Sequence, residues 1–212
     1  NIIENFSKQI GVNYLKIIKN LKKDKRIGPK SYIYPSPAIS GGHLERDVFY
    51  IKTNSKNFNI KKIFSSFEYF NNARNKELQK LVMTLVKKKI IKLLIVGLSY
   101  KDSSFSLVNS IFKKIFKTKK IKTKYYESYL KKNAKQNVKI SKTENLIKSI
   151  NDSDIVILNY CSHNDFLIIK KEFSKSNLKK YLINISLKYQ NFFKNSKYIY
   201  KFYSSKEIKH DS

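Results

Sequence analysis

The chain has 212 residues, with 45 lysines and arginines against 15 carboxylates, a formal charge of +30, and 41% hydrophobic and 14% aromatic residues. That much apolar material excludes a wholly disordered chain, and at ~100–150 residues per domain it makes one large domain or two small ones. No apolar run approaches the ~20 residues of a membrane span, and the single cysteine, Cys161, excludes an internal disulfide framework and any multi-cysteine metal site.

Residues 1–25 carry apolar positions at helical spacing: Ile2, Ile3, Phe6 and Ile10, then Tyr14, Leu15, Ile17, Ile18 and Leu21, with Gly11 between two helices. The stripe reads as core. Residues 26–47 change character: Gly28, Gly41, Gly42 and all three prolines fall here, so the segment reads as a long loop of the kind that carries function. Asp47 opens a further periodic stretch through Val48, Phe49 and Ile51. Residues 60–90 then read as one helix, with Ile63, Phe64, Phe67, Phe70, Leu78, Leu81, Val82 and Leu85 as its core stripe.

The period changes at Ile90. The run from Ile90 to Val96 is a buried strand ending in a turn at Gly97. A helix is predicted over 105–117, a strand over 121–126 and a helix over 143–150. A buried strand follows from Asp154 to Asn159, a helix near 164–172, a strand from Tyr181 to Ile185 and a weak strand over 198–203. Such alternation predicts an α/β fold, a Rossmann-like parallel sheet covered on both faces and preceded by an all-helical segment. The division falls at 1–88 and 89–212.

Ligands of open α/β sheets bind at the carboxyl ends of the strands. Those ends carry Gly97 to Lys101, Glu127, and Asn159 to Cys161, yet neither G-x-G-x-x-G nor G-x-x-x-x-G-K-[ST] is present. His43, His163 and His210 lack metal-ligand spacing, so no metal is expected. His163 reads as a surface or capping residue, and Cys161 as inert core.

Two segments carry a resemblance. Arg26-Ile27-Gly28 followed by the run Pro35 to Asp47, which contains Gly41-Gly42-His43-Leu44-Glu45-Arg46-Asp47, resembles the active-site segment of the UDP-glucose/GDP-mannose dehydrogenase family, R-I-G and then roughly P-G-x-G-Y-G-G-x-C-L-P-K-D. Ile95 to Asp102, with Ser110, resembles the stretch G-L-A-F-K-x-x-T-D-D-x-R-x-S that opens the family's C-terminal domain. Asp154 to Leu158 followed by His163 to Phe166 is similar to a later strand and its E-W-x-x-F sequel.

The resemblance implies that residues 1–88, with the loop 26–47, are the end of a central dimerisation domain, and that 89–212 are a UDP-sugar-binding α/β domain. It implies that an N-terminal NAD domain is missing, in keeping with the start at Asn1. The activity implied is NAD-dependent oxidation of a nucleotide-sugar such as UDP-glucose to a uronic acid, of the kind used in polysaccharide biosynthesis, by a cytoplasmic homodimer without a membrane partner. In the family a cysteine thiolate captures the intermediate aldehyde, hydride leaves to NAD and water hydrolyses the thioester. By position, His43 stands for that cysteine and Asp47 for the assisting aspartate. Arg26, Tyr34, Gly41, Gly42 and Lys101 stand for substrate contacts, and Arg46 for a cation on the cofactor side.

Three departures bear on activity. The cysteine is absent from its position, Val108 stands for the arginine of D-x-R-x-S, and Ile185-Ser186-Leu187 stands for a family D-G-R. Imidazole forms no thioester, so the expectation is a catalytically impaired dehydrogenase, with a non-catalytic dimerisation or UDP-sugar-binding module as the alternative. A basic nucleic-acid-binding protein is the third reading. Arg26, Arg46 and Arg74 are the only arginines, so 42 of the 45 cations are lysine. The chain is also rich in Asn, Ile, Phe and Tyr, whose codons are AT-rich. The charge therefore reads mainly as genome composition on solvated faces. It brings salt-dependent attraction to polyanions and no specific nucleic-acid partner.

Overall fold

The computed structural model describes residues 1–31, 33–39, 43–99, 112, 118–129, 140–175, 179–189, 192–193 and 197–202. Four helices come first: α1 (Ile2–Gln9), α2 (Tyr14–Leu21), α3 (Leu44–Asn54) and α4 (Phe58–Leu85). Gly11, at φ +71, makes the turn between α1 and α2. Asparagine side chains cap α2 and α4, because a short carboxamide accepts from otherwise unpaired first-turn amides. Asn13 accepts from the Leu15 amide, and Asn57 from those of Asn59 and Ile60.

The helical stripes do not all face inward. Ile2, Ile3, Phe6 and Ile10 are exposed, and α1 instead buries Glu4 and Ser7. On α4 the exposed positions include Ile63 and Phe67, while Leu78, Leu81 and Val82 are buried. The predicted core stripes of α1 and of the first half of α4 are thus outer faces. Glu4 turns inward because Arg74 meets it: Arg74 Nη2 lies 2.9 Å from Glu4 Oε2, with side-chain exposures of 2% and 0%. Lys8 Nζ is 3.0 Å from Glu4 Oε1, and Arg74 Nη1 donates to Glu77 Oε2 at 2.7 Å. The Phe202 ring covers the cluster, 5.0 Å from the Arg74 guanidinium carbon and 4.9 Å from Lys8 Nζ.

The helix predicted over 60–90 stops at Leu85. β-Branched Val86 is extended, three lysines follow, and Ile91 is drawn into the sheet. The last turns of α4 pack on that sheet through Leu78, Leu81 and Val82, so the helical part and the α/β part share one core.

Among the described residues the sheet has six strands: β1 (Ile91–Val96), β2 (Ile121–Tyr126), β3 (Ser141–Lys142), β4 (Ile155–Leu158), β5 (Tyr181–Asn184) and β6 (Ile199–Lys201). All pairings are parallel, in the order β3-β2-β1-β4-β5-β6, so the Rossmann-like architecture expected from the alternation is present. Helices α5 (Leu146–Asp152) and α6 (His163–Glu172) and a 3-10 turn at Leu187–Tyr189 also belong to this part. The two-residue β3 carries no apolar signature and was not predicted. The helix predicted over 105–117 lies outside the described residues except for Phe112, which is buried.

Alternate residues of the central strands feed two cores, as period-2 geometry requires. Leu93, Ile95, Ile155 and Ile157 face the end of α4 and Phe112, and Leu94, Val96, Val156 and Leu158 face α5 and α6. Asp154 staples the start of β4 to β1, accepting from Lys88 Nζ at 2.6 Å and from the Lys92 amide at 2.8 Å. Burial pushes its carboxyl pKa up, but these two bonds outweigh it and hold the group below the usual aspartate range. Among the described residues, no helix is long and apolar enough to cross a membrane.

Candidate functional site

The loop between α2 and α3 is fixed from two sides by asparagines. Asn1 Oδ1 accepts from the Ser36 amide at 2.8 Å, and Asn71 Oδ1, on α4, accepts from the Ile39 amide at 2.5 Å. Tyr14 adds a bond to the Ile33 carbonyl at 3.2 Å. Pro35, Pro37 and Ala38 are buried, which orders the chain up to Ile39. These asparagine clamps escaped the sequence reading, since in a chain so rich in Asn neither stands out. The available signal was Asn71 itself, a poor helix former in mid-helix.

Arg26 projects from a turn closed by the Ile27 and Gly28 amides on the Asp24 carbonyl, with Gly28 at φ +78. Its guanidinium is 90% exposed and grips Asp24, Nε to Oδ1 at 3.0 Å and Nη2 to Oδ2 at 2.6 Å. Those bonds raise the arginine's pKa and lower the aspartate's. Tyr34 is exposed and pairs with Lys22, whose ammonium lies 4.4 Å from the ring centroid.

The chain enters α3 at His43. Its side chain is exposed and makes no capping bond, while its carbonyl accepts from the Asp47 amide at 2.8 Å. Four residues apart on one helix, the His43 and Asp47 side chains share a face. Asp47 accepts from its neighbour Arg46, Nη2 at 3.0 Å and Nε at 3.1 Å. Arg46 also lines a cavity of about 330 Å³ between α3 and α4, with Ile39, Phe49, Phe67, Glu68 and Asn71. The structure thus gathers His43, Arg46 and Asp47 on one helix start, and holds Arg26 and Tyr34 on local partners. Gly41, Gly42 and Lys101 lie outside the described residues.

At the carboxyl edge of the sheet, Gly97 turns at φ +83, and the backbone of Tyr160 approaches it closely. Asn159 Nδ2 ties the two loops, donating to the Gly97 carbonyl at 3.1 Å and to the Ser99 carbonyl at 2.9 Å. The buried Glu127, at the end of β2, accepts from the Leu98 amide at 2.7 Å, the Ser99 amide at 3.2 Å and the Ser99 hydroxyl at 3.2 Å. In a dinucleotide-binding sheet the first turn after β1 offers its amides to a pyrophosphate. Here a carboxylate of the chain itself occupies them, so the described residues of this edge do not fit an NAD cradle.

Desolvation pushes the Glu127 pKa above the ordinary glutamate range, against the pull of the Leu98, Tyr129 and Ser99 bonds. A group that holds its proton more tightly when folded stabilises fully below its unfolded pKa, near ~4.3, and loses that contribution as pH rises through its folded value. Denaturant melts from about pH 4 upward should therefore show a decline in wild-type stability that Glu127→Gln lacks. Identical pH profiles would contradict the assignment.

Nearby, Ser162 caps α6 and, with Tyr126 and Ser128, donates to Asp165. His163 is exposed at the head of α6. Cys161 is buried, and desolvation pushes its thiol up to about 12. Among the described residues, no three His, Cys, Asp or Glu side chains are placed to hold a metal.

Residues 1–77 match the model of the UDP-glucose/GDP-mannose dehydrogenase family, central domain. The helical part therefore matches this family by sequence, and the α/β part is similar to the following dehydrogenases in fold alone. GDP-mannose dehydrogenase from Pseudomonas aeruginosa is similar over 93% of this chain and 47% of its own, at 15% identity and a TM-score of 0.62. UDP-D-ManNAc dehydrogenase from Pyrococcus horikoshii matches over 91% and 44%, at 18% identity and a TM-score of 0.64. UDP-glucose dehydrogenase from Pyrobaculum islandicum matches over 87% and 43%, at 13% identity and a TM-score of 0.64. The chain spans less than half the length of each of these dehydrogenases. Among curated proteins, none matches it by sequence.

Proposed function

We propose that this chain is the substrate-side portion of a divergent nucleotide-sugar 6-dehydrogenase that holds a UDP-sugar but is impaired in oxidising it, and that it works as a cytoplasmic homodimer. The family match over residues 1–77 supports the class. Arg26, exposed at its turn, is free of its own fold apart from Asp24 and would reach a nucleotide-sugar held by the second subunit. Tyr34, Gly41, Gly42 and Lys101 would contact the same ligand. Arg46, on the cavity between α3 and α4, would face the cofactor side. NAD would supply the hydride acceptor. The edge plugged by Glu127 gives it no seat, so no step is assigned to it.

The carrying observation is His43. It stands exposed at the head of α3, one helical turn before Asp47, where the family resemblance calls for a thiol. An imidazole there can hold or pass a proton beside the carboxylate, but it cannot form a thioester. Cys161 offers no substitute, being buried with its thiol protonated at neutral pH.

Isothermal calorimetry with UDP and UDP-glucose, run beside an NADH absorbance assay, tests both halves of the reading. Binding heat without NADH is expected. NADH formation by the chain would refute the impairment, and no heat at millimolar ligand would refute the site.

The alternative of a non-catalytic dimerisation module draws on the outward apolar faces. Ile2 and Phe6 on α1, Ile10 at its C-terminal cap, and Phe58, Ile63 and Tyr69 on α4 are large and exposed. Apolar area of this kind marks an interface.

A further inference from the structure

In a parallel sheet every strand begins at the same edge, and here that edge is lined with lysine. Lys119 and Lys120 lead into β2, Lys87, Lys88 and Lys89 into β1, Lys179 and Lys180 into β5, and Lys197 stands two residues before β6. Acid enters this rim at Asp152 and Asp154, before β4. Lys88 neutralises Asp154 at 2.6 Å. Lys180 is turned to the end of α5, donating to the Ile150 carbonyl at 2.9 Å. Lys87, Lys89, Lys119, Lys120 and Lys179 are exposed and make no ion pair among the described residues.

Two aromatic rings sit in the same row. Tyr181 opens β5 and Tyr198 precedes β6, half-buried, with ring centroids 5.5 Å apart and the Lys197 ammonium 5.1 Å from the Tyr198 centroid.

We propose that this amino-terminal rim binds the phosphate backbone of single-stranded nucleic acid, without sequence preference. Cations stand before β2, β1, β5 and β6, on either side of the acidic start of β4, across four strand intervals of ~4.8 Å, or roughly 19 Å. Lysine is a point charge that neutralises phosphate without the planar fork that reads bases, so backbone contact is what this row can do. Partly exposed tyrosines add ring faces on which unpaired bases can stack. The Tyr181–Tyr198 pair in the same row favours a polyanion that carries stackable bases over a lipid surface, which lysines alone would serve. The rim lies at the opposite end of the strands from Gly97, Glu127 and Asn159, so it does not depend on the nucleotide-sugar reading.

Fluorescence anisotropy with labelled dodecamers of uridylate and thymidylate across a salt series tests the proposal. With about six phosphates neutralised, log K should fall against log salt with a slope near −4, by ~0.7 per phosphate. Changing Lys87, Lys89, Lys119 and Lys120 together to Gln should weaken binding more than tenfold and flatten the slope by about 3. A control of equal charge, Lys16, Lys19, Lys61 and Lys62 to Gln, should leave both nearly unchanged. Tyr198→Leu should weaken oligonucleotide binding while sparing inorganic polyphosphate of the same length.

Equal weakening by the two fourfold variants would overturn the proposal, because the attraction would then belong to the whole surface. Tighter binding to a duplex of the same length, or to phosphatidylserine vesicles, abolished by the rim variant, would overturn it as well. Should the fourfold rim variant lose its circular dichroism signal, Lys87→Gln with Lys119→Gln carries the test at half the slope change.

Discussion

Replacing Arg74 by alanine is expected to lower the unfolding free energy by about 3–5 kcal/mol in urea melts, among the largest single-residue losses in the chain. Arg74 and Glu4 are almost wholly withdrawn from solvent and face each other at 2.9 Å. The contact lacks the alignment of a hydrogen bond, so its strength is that of two charges in a poorly screened interior. Removing the guanidinium leaves Glu4 buried with Lys8 alone. The pair as a whole is a different matter. Two charges taken out of water cost nearly what their attraction returns, so Glu4→Leu combined with Arg74→Met should match the wild type or exceed it by about 1–4 kcal/mol. A single Arg74→Ala variant as stable as the parent would show that the charges are hydrated in solution.

Gly97→Ala is the second large effect. A methyl group at Gly97 would lie 1.8 Å from the Tyr160 carbonyl oxygen, and the backbone there is left-handed at φ +83. Strain at such a φ and overpacking against backbone each cost about 1–3 kcal/mol, giving a loss of about 2–6 kcal/mol. Gly28 separates the two causes. Its φ is +78, and nothing lies within 4 Å of where a Cβ would stand. Gly28→Ala should therefore cost only the conformational part, about 1–2 kcal/mol. Equal losses at the two glycines in paired melts would mean that the loops after β1 and β4 part easily.

The sheet was legible where burial on both faces leaves an unbroken apolar run, as from Leu93 to Val96 and from Ile155 to Leu158. Ser141-Lys142 had no such mark, because an edge strand of two residues is defined by its neighbour's backbone and not by its own side chains. The helices misled for a reason rooted in the same rule. Periodicity tells that α1 has an apolar side, but not which side meets the fold, and a buried Glu4 is invisible until Arg74 is seen opposite it.

The candidate site was named by motif and order, and His43, Arg46 and Asp47 lie together at the start of α3 as their sequence spacing requires. What the motifs could not carry was the local pairing. Asp24 holds Arg26 and Arg46 holds Asp47. Nor could they reveal Glu127 as its own sheet's anion, since that requires knowing that the end of β2 lies beside the turn after β1.

The Phe202 ring has a consequence for how the chain is made. Lys8 donates to the Phe202 carbonyl at 2.7 Å across 194 residues of sequence. The ring that shelters Arg74 emerges from the ribosome 128 residues after it. At about 5–20 residues per second the Glu4–Arg74 pair waits roughly 6–26 s for its cover. During that interval both charges remain wetted, and the first helices are held by the asparagine clamps without the ring that covers the pair. Sheltering of the Glu4–Arg74 pair is therefore a late event, coupled to the arrival of β6.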